Sequence, residues 1–154
     1  MATLRIPDKN VTLRDPSAVR QFLDVRGIVH ERWSADRDLP SGATNEHVLA
    51  AYDYLLKPLM EKSGYQTADV IRVDGHTPNL EGIREKFIRE HTHREDEVFA
   101  LLCEQGDLIS VPANTKHWFD LGASPKVRAI RIFTDQTGWV PHYTNSRIDQ
   151  RYRW

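Results

Sequence analysis

The sequence predicts a mainly β protein with flanking helices: a helical layer over about residues 1–88 that packs on an antiparallel jelly-roll barrel over about residues 89–145. Helix signals dominate before residue 90, and short β-leaning runs between turn residues follow it. The length of 154 residues suits one hydrophobic core. Because no repeat, low-complexity tract or flexible linker divides the chain, we expect a single domain over residues 1–154.

The helix signals lie in three segments, residues 16–27, 44–64 and 81–87. Asp15 followed by Pro16 is a typical N-cap with a proline in the first turn. Thr44 is the candidate N-cap of the second helix, since apolar residues recur after it at three- and four-residue spacings. Pro58 should kink or end that helix early, because proline lacks the backbone N–H that the helix interior requires.

The strand signals cover residues 108–111, 116–121 and 127–133. Glycine and proline bound these runs at Gly106, Pro112, Gly122 and Pro125. Closely spaced short strands of this kind are typical of an antiparallel barrel or sandwich.

Composition and charge exclude several classes of function. With 21 Lys and Arg against 22 Asp and Glu, the net charge is −1, so nucleic acid is not an expected partner. We expect no membrane association, because no apolar stretch approaches the roughly 20 residues that a spanning helix needs. Cys103 is the single cysteine, and no apolar leader stands at the N-terminus. These two features predict a reducing, cytoplasmic location.

The chemically informative segment is the run HTHREDE over residues 91–97. On a strand alternate residues share a face, so His91 and His93 would point the same way as Glu97. By this alternation alone, Glu95 would point the same way as well. The spacing His-x-His-x-x-x-Glu, with a distant histidine in the Pro-x-Asn-x-x-His run at residues 112–117, favours Glu97 and His117. The alternative is a histidine-rich polar turn on the surface.

Three imidazoles and one carboxylate suit a divalent first-row metal such as Fe, Ni, Co, Mn or Zn better than Ca or Mg. Structural zinc sites usually contain cysteine, and this chain has no cysteine pair. The pattern therefore favours a catalytic metal site with open coordination positions.

The chain resembles the acireductone dioxygenases of the cupin superfamily in three runs: REKFIREHTHREDEV over 84–98, GDLISVPANTKHWFDLG over 106–122 and RAIRIFTDQTGW over 128–139. The resemblance implies a cupin-type barrel and an enzyme of methionine salvage that binds one Fe(II) or Ni(II) per chain. Its substrates would be O2 and the enediol 1,2-dihydroxy-3-keto-5-methylthiopentene. Iron would yield formate and 2-keto-4-methylthiobutyrate, and nickel would yield carbon monoxide, formate and methylthiopropionate.

The resemblance also implies roles for single residues, with His91, His93, Glu97 and His117 as the metal ligands. Glu97 and Arg131 are the expected catalytic residues, and Arg131 would donate charge-assisted hydrogen bonds to a substrate oxygen. A structural ion pair is the alternative role for Arg131. Phe87, Phe119 and Trp139 would line the substrate pocket, or else belong to the ordinary core.

The family pattern is interrupted after Val98. Where the family continues with an arginine, two strands and their turns, this chain proceeds directly to Phe99, so roughly 16 to 20 residues are missing, either through a deletion or because the sequence omits an internal segment. The positive group expected beside the enediolate is then absent. Two alternatives to the active dioxygenase follow: a catalytically impaired metal-binding module, and another cupin enzyme such as an isomerase. The family is expected to be monomeric, whereas the barrel edges exposed by the missing strands would favour a dimer here.

Overall fold

The computed structural model describes residues 2–83, 97–138, 142–144 and 147–152. Its helices are α1 Pro16–Asp24, α2 Asn45–Ala51 and α3 Asp53–Ser63. Its strands are β1 Thr3–Ile6, β2 Val11–Leu13, β3 Val29–Arg32, β4 Thr67–Val73, β5 Ala100–Leu102, β6 Asp107–Ser110 and β7 Val127–Phe133. Short 3-10 helices cover Pro7–Lys9 and Ile148–Arg151.

All the strand pairs of the described residues are antiparallel, and each sheet joins the two halves of the chain. The sheets have the orders β2-β1-β5, β3-β6 and β4-β7. The longest pairing runs from Thr67 opposite Phe133 to Val73 opposite Val127. The mainly β class with flanking helices is thus confirmed. The strands β1 to β4, which the sequence analysis did not predict, lie in the half where helix signals dominate.

The first predicted helix is confirmed at its N-terminus, where the Asp15 side chain accepts a hydrogen bond of 2.9 Å from the backbone N–H of Ala18. It ends earlier than expected, at Asp24, and the chain then turns through Gly27 with a φ of +69°. Of the third predicted helix, residues 80–83 are helical and residues 84–87 lie outside the described part of the chain.

The second predicted helix is divided into α2 and α3. Thr44 caps α2 and Gly64 ends α3 with a φ of +69°, as expected. Of the two effects expected of Pro58, a kink or an early end of the helix, the early end is wrong, because Pro58 lies inside α3 and the break falls at Tyr52. In the short α3, proline leaves only one carbonyl without its intrahelical donor. Both helices contribute a buried residue, Val48 from α2 and Leu56 from α3.

Two of the three predicted strands are confirmed: residues 108–111 correspond to β6 Asp107–Ser110, and residues 127–133 coincide with β7. The prediction for residues 116–121 is wrong, since only an isolated bridge forms there. Asp120 accepts a hydrogen bond of 2.8 Å from the Gly122 backbone N–H, and the His117 ring is 2.8 Å from the Thr115 carbonyl. Such local bonds compete with the ladder of a sheet.

The larger core cluster lies between β1 and α1. It consists of five buried residues, Leu4, Ile6, Val19, Leu23 and Ile28. Partly buried side chains pack against this cluster, among them Phe22, Phe99, Leu101 and Ile109. The core therefore extends to the start of β5 and to β6. The second cluster contains Ala43, Val48 and Val70. No helix in the described part of the chain is long and apolar enough to cross a membrane.

Replacing a residue of the larger cluster should destabilise the protein strongly. Leu23 is 1% exposed, and Leu23→Ala should lower the free energy of unfolding by about 2–5 kcal/mol through lost burial and a residual cavity. The control is Val25→Ala, because Val25 is 75% exposed and should change the value by less than about 0.5 kcal/mol. Urea unfolding followed by circular dichroism measures both, and equal effects would contradict the packing described.

Candidate metal centre

Glu97 precedes β5 and forms ion pairs with two cations from the N-terminal half. Its Oε2 accepts a hydrogen bond of 2.5 Å from Arg26, and its Oε1 contacts the ammonium of Lys9. Hydrogen bonding to Lys9 lowers the pKa of Glu97, burial acts against it, and the charge of Lys9 and the bond from Arg26 lower it further. The carboxylate is therefore ionised at neutral pH, as a metal ligand must be.

Aromatic packing places Arg26 beside Glu97. The guanidinium carbon lies 3.6 Å from the centroid of the Phe22 ring, and Nη1 donates a hydrogen bond of 2.8 Å to the Phe22 carbonyl. Phe99 contacts the same ring edge-to-face, with centroids 5.0 Å apart. Phe99 thus fixes the segment that carries Glu97 against the C-terminal end of α1.

His117 lies in the loop between β6 and β7. Its Nδ1 is 2.8 Å from the carbonyl oxygen of Thr115. When Nδ1 donates to that carbonyl, the neutral ring carries its lone pair on Nε2, which is the form in which histidine commonly binds a metal. Phe119 meets the His117 ring edge-to-face at 5.7 Å and is itself 48% exposed. Among the described residues Phe119 is therefore a partner of His117 at the surface rather than part of the core.

Arg131 forms a bidentate ion pair with Asp69, its direct partner across the β4-β7 pairing. Nε and Nη2 donate hydrogen bonds of 2.8 and 2.5 Å to the two carboxylate oxygens. This geometry is the structural ion pair that the sequence analysis kept as an alternative. A role for Arg131 toward substrate stays a prediction.

The strand that leads to the His117 loop is fixed by a buried carboxylate. The Asp107 side chain is 1% exposed, contacts His30 Nε2 at 3.3 Å and accepts a 2.9 Å bond from Arg32. Burial raises the pKa of Asp107, but hydrogen bonds from the Glu104 backbone, Arg32 and His30 outweigh it, so the pKa lies below its usual value. This network holds β6 against β3.

Four predicted site residues, Phe87, His91, His93 and Trp139, lie outside the described residues. Within residues 2–83, 97–138, 142–144 and 147–152, no three His, Cys, Asp or Glu side chains form a group that could hold a metal ion. Sequence reasoning missed Lys9 and Arg26 as partners of Glu97. No local signal could have indicated them, since Arg26 and Glu97 are 71 positions apart.

The antiparallel sheets with flanking helices agree with the fold class that the sequence predicts, and the following comparisons identify that fold as cupin-type. The family model described as ARD/ARD' matches residues 95–141. An acireductone dioxygenase of Picosynechococcus is 45% identical, over 99% of this chain and 98% of that protein. One from Klebsiella oxytoca is 43% identical, over 87% of this chain and 84% of that protein.

A solved structure gives the same result at the level of the fold. It is described as an acireductone dioxygenase from Bacillus anthracis with a cadmium ion in its active center, and it is 32% identical to this chain. The two superpose with a TM-score of 0.82 over 93% of this chain and 98% of the other. The chain belongs to the acireductone dioxygenase family.

The alignment with the Picosynechococcus protein is longer than this chain. The alignment extends over 172 residues, whereas this chain has 154, so at least 18 aligned positions have no counterpart here. That these positions form one segment of about two strands after Val98 stays a prediction.

The ion pair between β4 and β7 should contribute modestly to stability. A double-mutant cycle of Asp69→Asn and Arg131→Met should give a coupling of about 0.5–1 kcal/mol in urea unfolding, because the side chains are 44% and 25% exposed. The matched control pairs Asp69→Asn with Arg128→Met, since Arg128 is on the same strand but bonds the Pro40 and Ser41 carbonyls. Equal coupling in the two cycles would contradict the assigned pair.

Proposed function

We propose that the chain is a metal-dependent acireductone dioxygenase of methionine salvage, which cleaves 1,2-dihydroxy-3-keto-5-methylthiopentene with O2. The observation that carries this proposal is the 45% identity to the Picosynechococcus enzyme over 99% of the chain. Family membership makes the chain an oxidoreductase, and the cadmium ion in the Bacillus anthracis relative supports a metal site. The choice between Fe(II) and Ni(II), and with it the product set, belongs to the proposal.

The proposed ligands are His91, His93, Glu97 and His117. Two of them are described, and their chemistry fits a divalent cation: Glu97 is ionised, and His117 has Nδ1 directed at the Thr115 carbonyl. A bound divalent metal would offer two exchangeable positions to the oxygens of an enediol and favour its deprotonated, electron-rich form. The single carboxylate among three neutral imidazoles would leave the centre with the positive charge that an enediolate requires.

The remaining site residues would bind and orient the substrate. Arg131 would hold a substrate oxygen with part of the guanidinium that also pairs with Asp69. Phe87, Phe119 and Trp139 would supply an apolar wall for the thioether tail, and the exposure of Phe119 beside His117 supports its access to a ligand. We place the enzyme in the cytoplasm, with O2 and the enediol as its partners and no nucleic acid or membrane.

A second candidate, a metal-binding module with impaired turnover, is favoured by Phe99. This residue stands where the family pattern has an arginine, and its ring packs edge-to-face on Phe22. No guanidinium can be offered to the enediolate from that position. The module and the enzyme share the metal site and differ in the chemical step.

Metal analysis followed by anaerobic mixing of enediol with O2 tests the two candidates. Consumption of enediol with formate as a product would support the dioxygenase. The second product separates iron from nickel chemistry, since 2-keto-4-methylthiobutyrate is expected with iron, and carbon monoxide with methylthiopropionate is expected with nickel. Bound metal without enediol consumption would support the module.

Removing a proposed ligand should abolish metal binding. His117→Ala and His91→Ala should each reduce the metal content of the purified protein to near zero, as measured by mass spectrometry of the bound metal. His47→Ala is the control, because His47 is exposed at the start of α2 and belongs to no proposed ligand set. Full metal content in either ligand variant would contradict the assignment.

Metal affinity should also depend on pH. The ligand imidazoles must be neutral, so affinity should fall as the pH drops below the normal histidine pKa of about 6.5. Equilibrium dialysis between pH 5 and pH 8 checks this, and an affinity unchanged at pH 5 would argue for a different ligand set.

The oligomeric state is a separate question. Within the described residues β5 pairs with β1 only, so one of its edges lies outside any sheet, and Leu102 on this strand is 41% exposed. We propose that this edge allows two copies to pair, where the family is expected to be monomeric. A single sharp monomer peak in sedimentation velocity would contradict a dimer.

A further inference from the structure

We propose that Lys9 and Arg26 form a cation pair that competes with a divalent metal for the Glu97 carboxylate and thereby lowers the metal affinity of this chain. The inference rests on the proposed function, because it takes Glu97 as a metal ligand. It concerns two residues that are not themselves candidate ligands.

Both oxygens of Glu97 are engaged by these cations. Lys9 contacts Oε1 and Arg26 contacts Oε2. A metal bound by Glu97 would need a lone pair on at least one of these oxygens, so it would lie close to the cation that already contacts that oxygen. Because the Glu97 side chain is only 18% exposed, water screens these ion pairs less than it screens pairs at the open surface.

The two cations differ in how firmly they are held. Arg26 is 33% exposed and is anchored from behind, since Nη1 bonds the Phe22 carbonyl and the guanidinium covers the Phe22 ring. Lys9 is 63% exposed and lies in the short 3-10 helix after β1. We therefore assign the larger part of the competition to Arg26.

Electrostatic repulsion also lowers the metal affinity, as the contacts to the two carboxylate oxygens do. The group formed by Glu97, Lys9 and Arg26 has a net positive charge, and both cations repel a divalent cation that approaches the carboxylate. Removing either positive charge should make the carboxylate a better ligand. The affinity for metal should then rise, even though the metal-free protein loses a contact.

Equilibrium dialysis of the metal-free, full-length protein against nickel chloride tests the proposal. Arg26→Met should bind nickel on the order of tenfold more tightly than the parent, within the usual range of coupling between two ligands. Lys9→Met should have a smaller effect in the same direction. Arg26→Lys keeps the charge and should bind nickel about as the parent does.

The matched control is Lys57→Met. Lys57 is also exposed and also forms an ion pair, at 2.6 Å with Asp53, but this pair lies on α3 and involves no candidate ligand. The substitution removes the same charge from the chain, so unchanged nickel binding in this variant excludes an effect of net charge. Thermal unfolding with and without nickel gives a second readout, and the nickel-induced rise in Tm should be larger for Arg26→Met than for the parent.

Glu97→Gln separates failure of the inference from failure of the proposed ligand set. Loss of nickel binding in Glu97→Gln, with tighter binding in Arg26→Met, supports the competition. Loss of binding in Glu97→Gln with unchanged or weaker binding in Arg26→Met overturns the inference and leaves the ligand set standing. Full nickel binding in Glu97→Gln overturns both, because Glu97 is then no ligand.

Discussion

Antiparallel pairing between the two halves of the chain is the constraint on which the rest of the structure depends. β1 pairs with β5, β3 with β6 and β4 with β7, so each of these ladders joins residues that are far apart in sequence. The register of β4 and β7 sets Asp69 opposite Arg131, and that of β3 and β6 brings His30 to Asp107. The core between β1 and α1 then receives Phe99, and Glu97 meets the N-terminal cations.

Local signals predicted what local interactions determine. Residues within a few positions encode each of three features: the Asp15 cap, the Thr44 cap and the helix end at Gly64. Each feature is where the sequence predicts it. β1 to β4 gave no comparable signal, because short strands are stabilised by partners elsewhere in the chain. For residues 116–121 the β-leaning composition was misleading, since the His117 and Asp120 side chains bond the backbone of the flanking residues Thr115 and Gly122.

In the candidate site, too, local interactions were predictable from the sequence and contacts between distant segments were not. Motif spacing selected Glu97 and His117 as candidate ligands, and the orientation of His117 depends on Thr115, only two residues away. The partners of Glu97 could not be predicted, because Lys9 and Arg26 reach it only through the packing of α1 against β1 and β5. A motif therefore predicts candidate ligands, whereas the ion-pair partners of those side chains are set by tertiary structure.

The interruption predicted after Val98 would change the distribution of charge as well as the number of strands. The family arginine would stand two residues after the ligand carboxylate, where it could face an enediolate; here an aromatic ring takes that position and packs on Phe22. The guanidinium nearest to the carboxylate instead comes from Arg26 and bonds the carboxylate itself. On the proposed assignments, positive charge would be lost where it would help the substrate and added where it would oppose a metal. Since metal binding and substrate polarisation depend on different positions, a chain with this arrangement can retain one while losing the other.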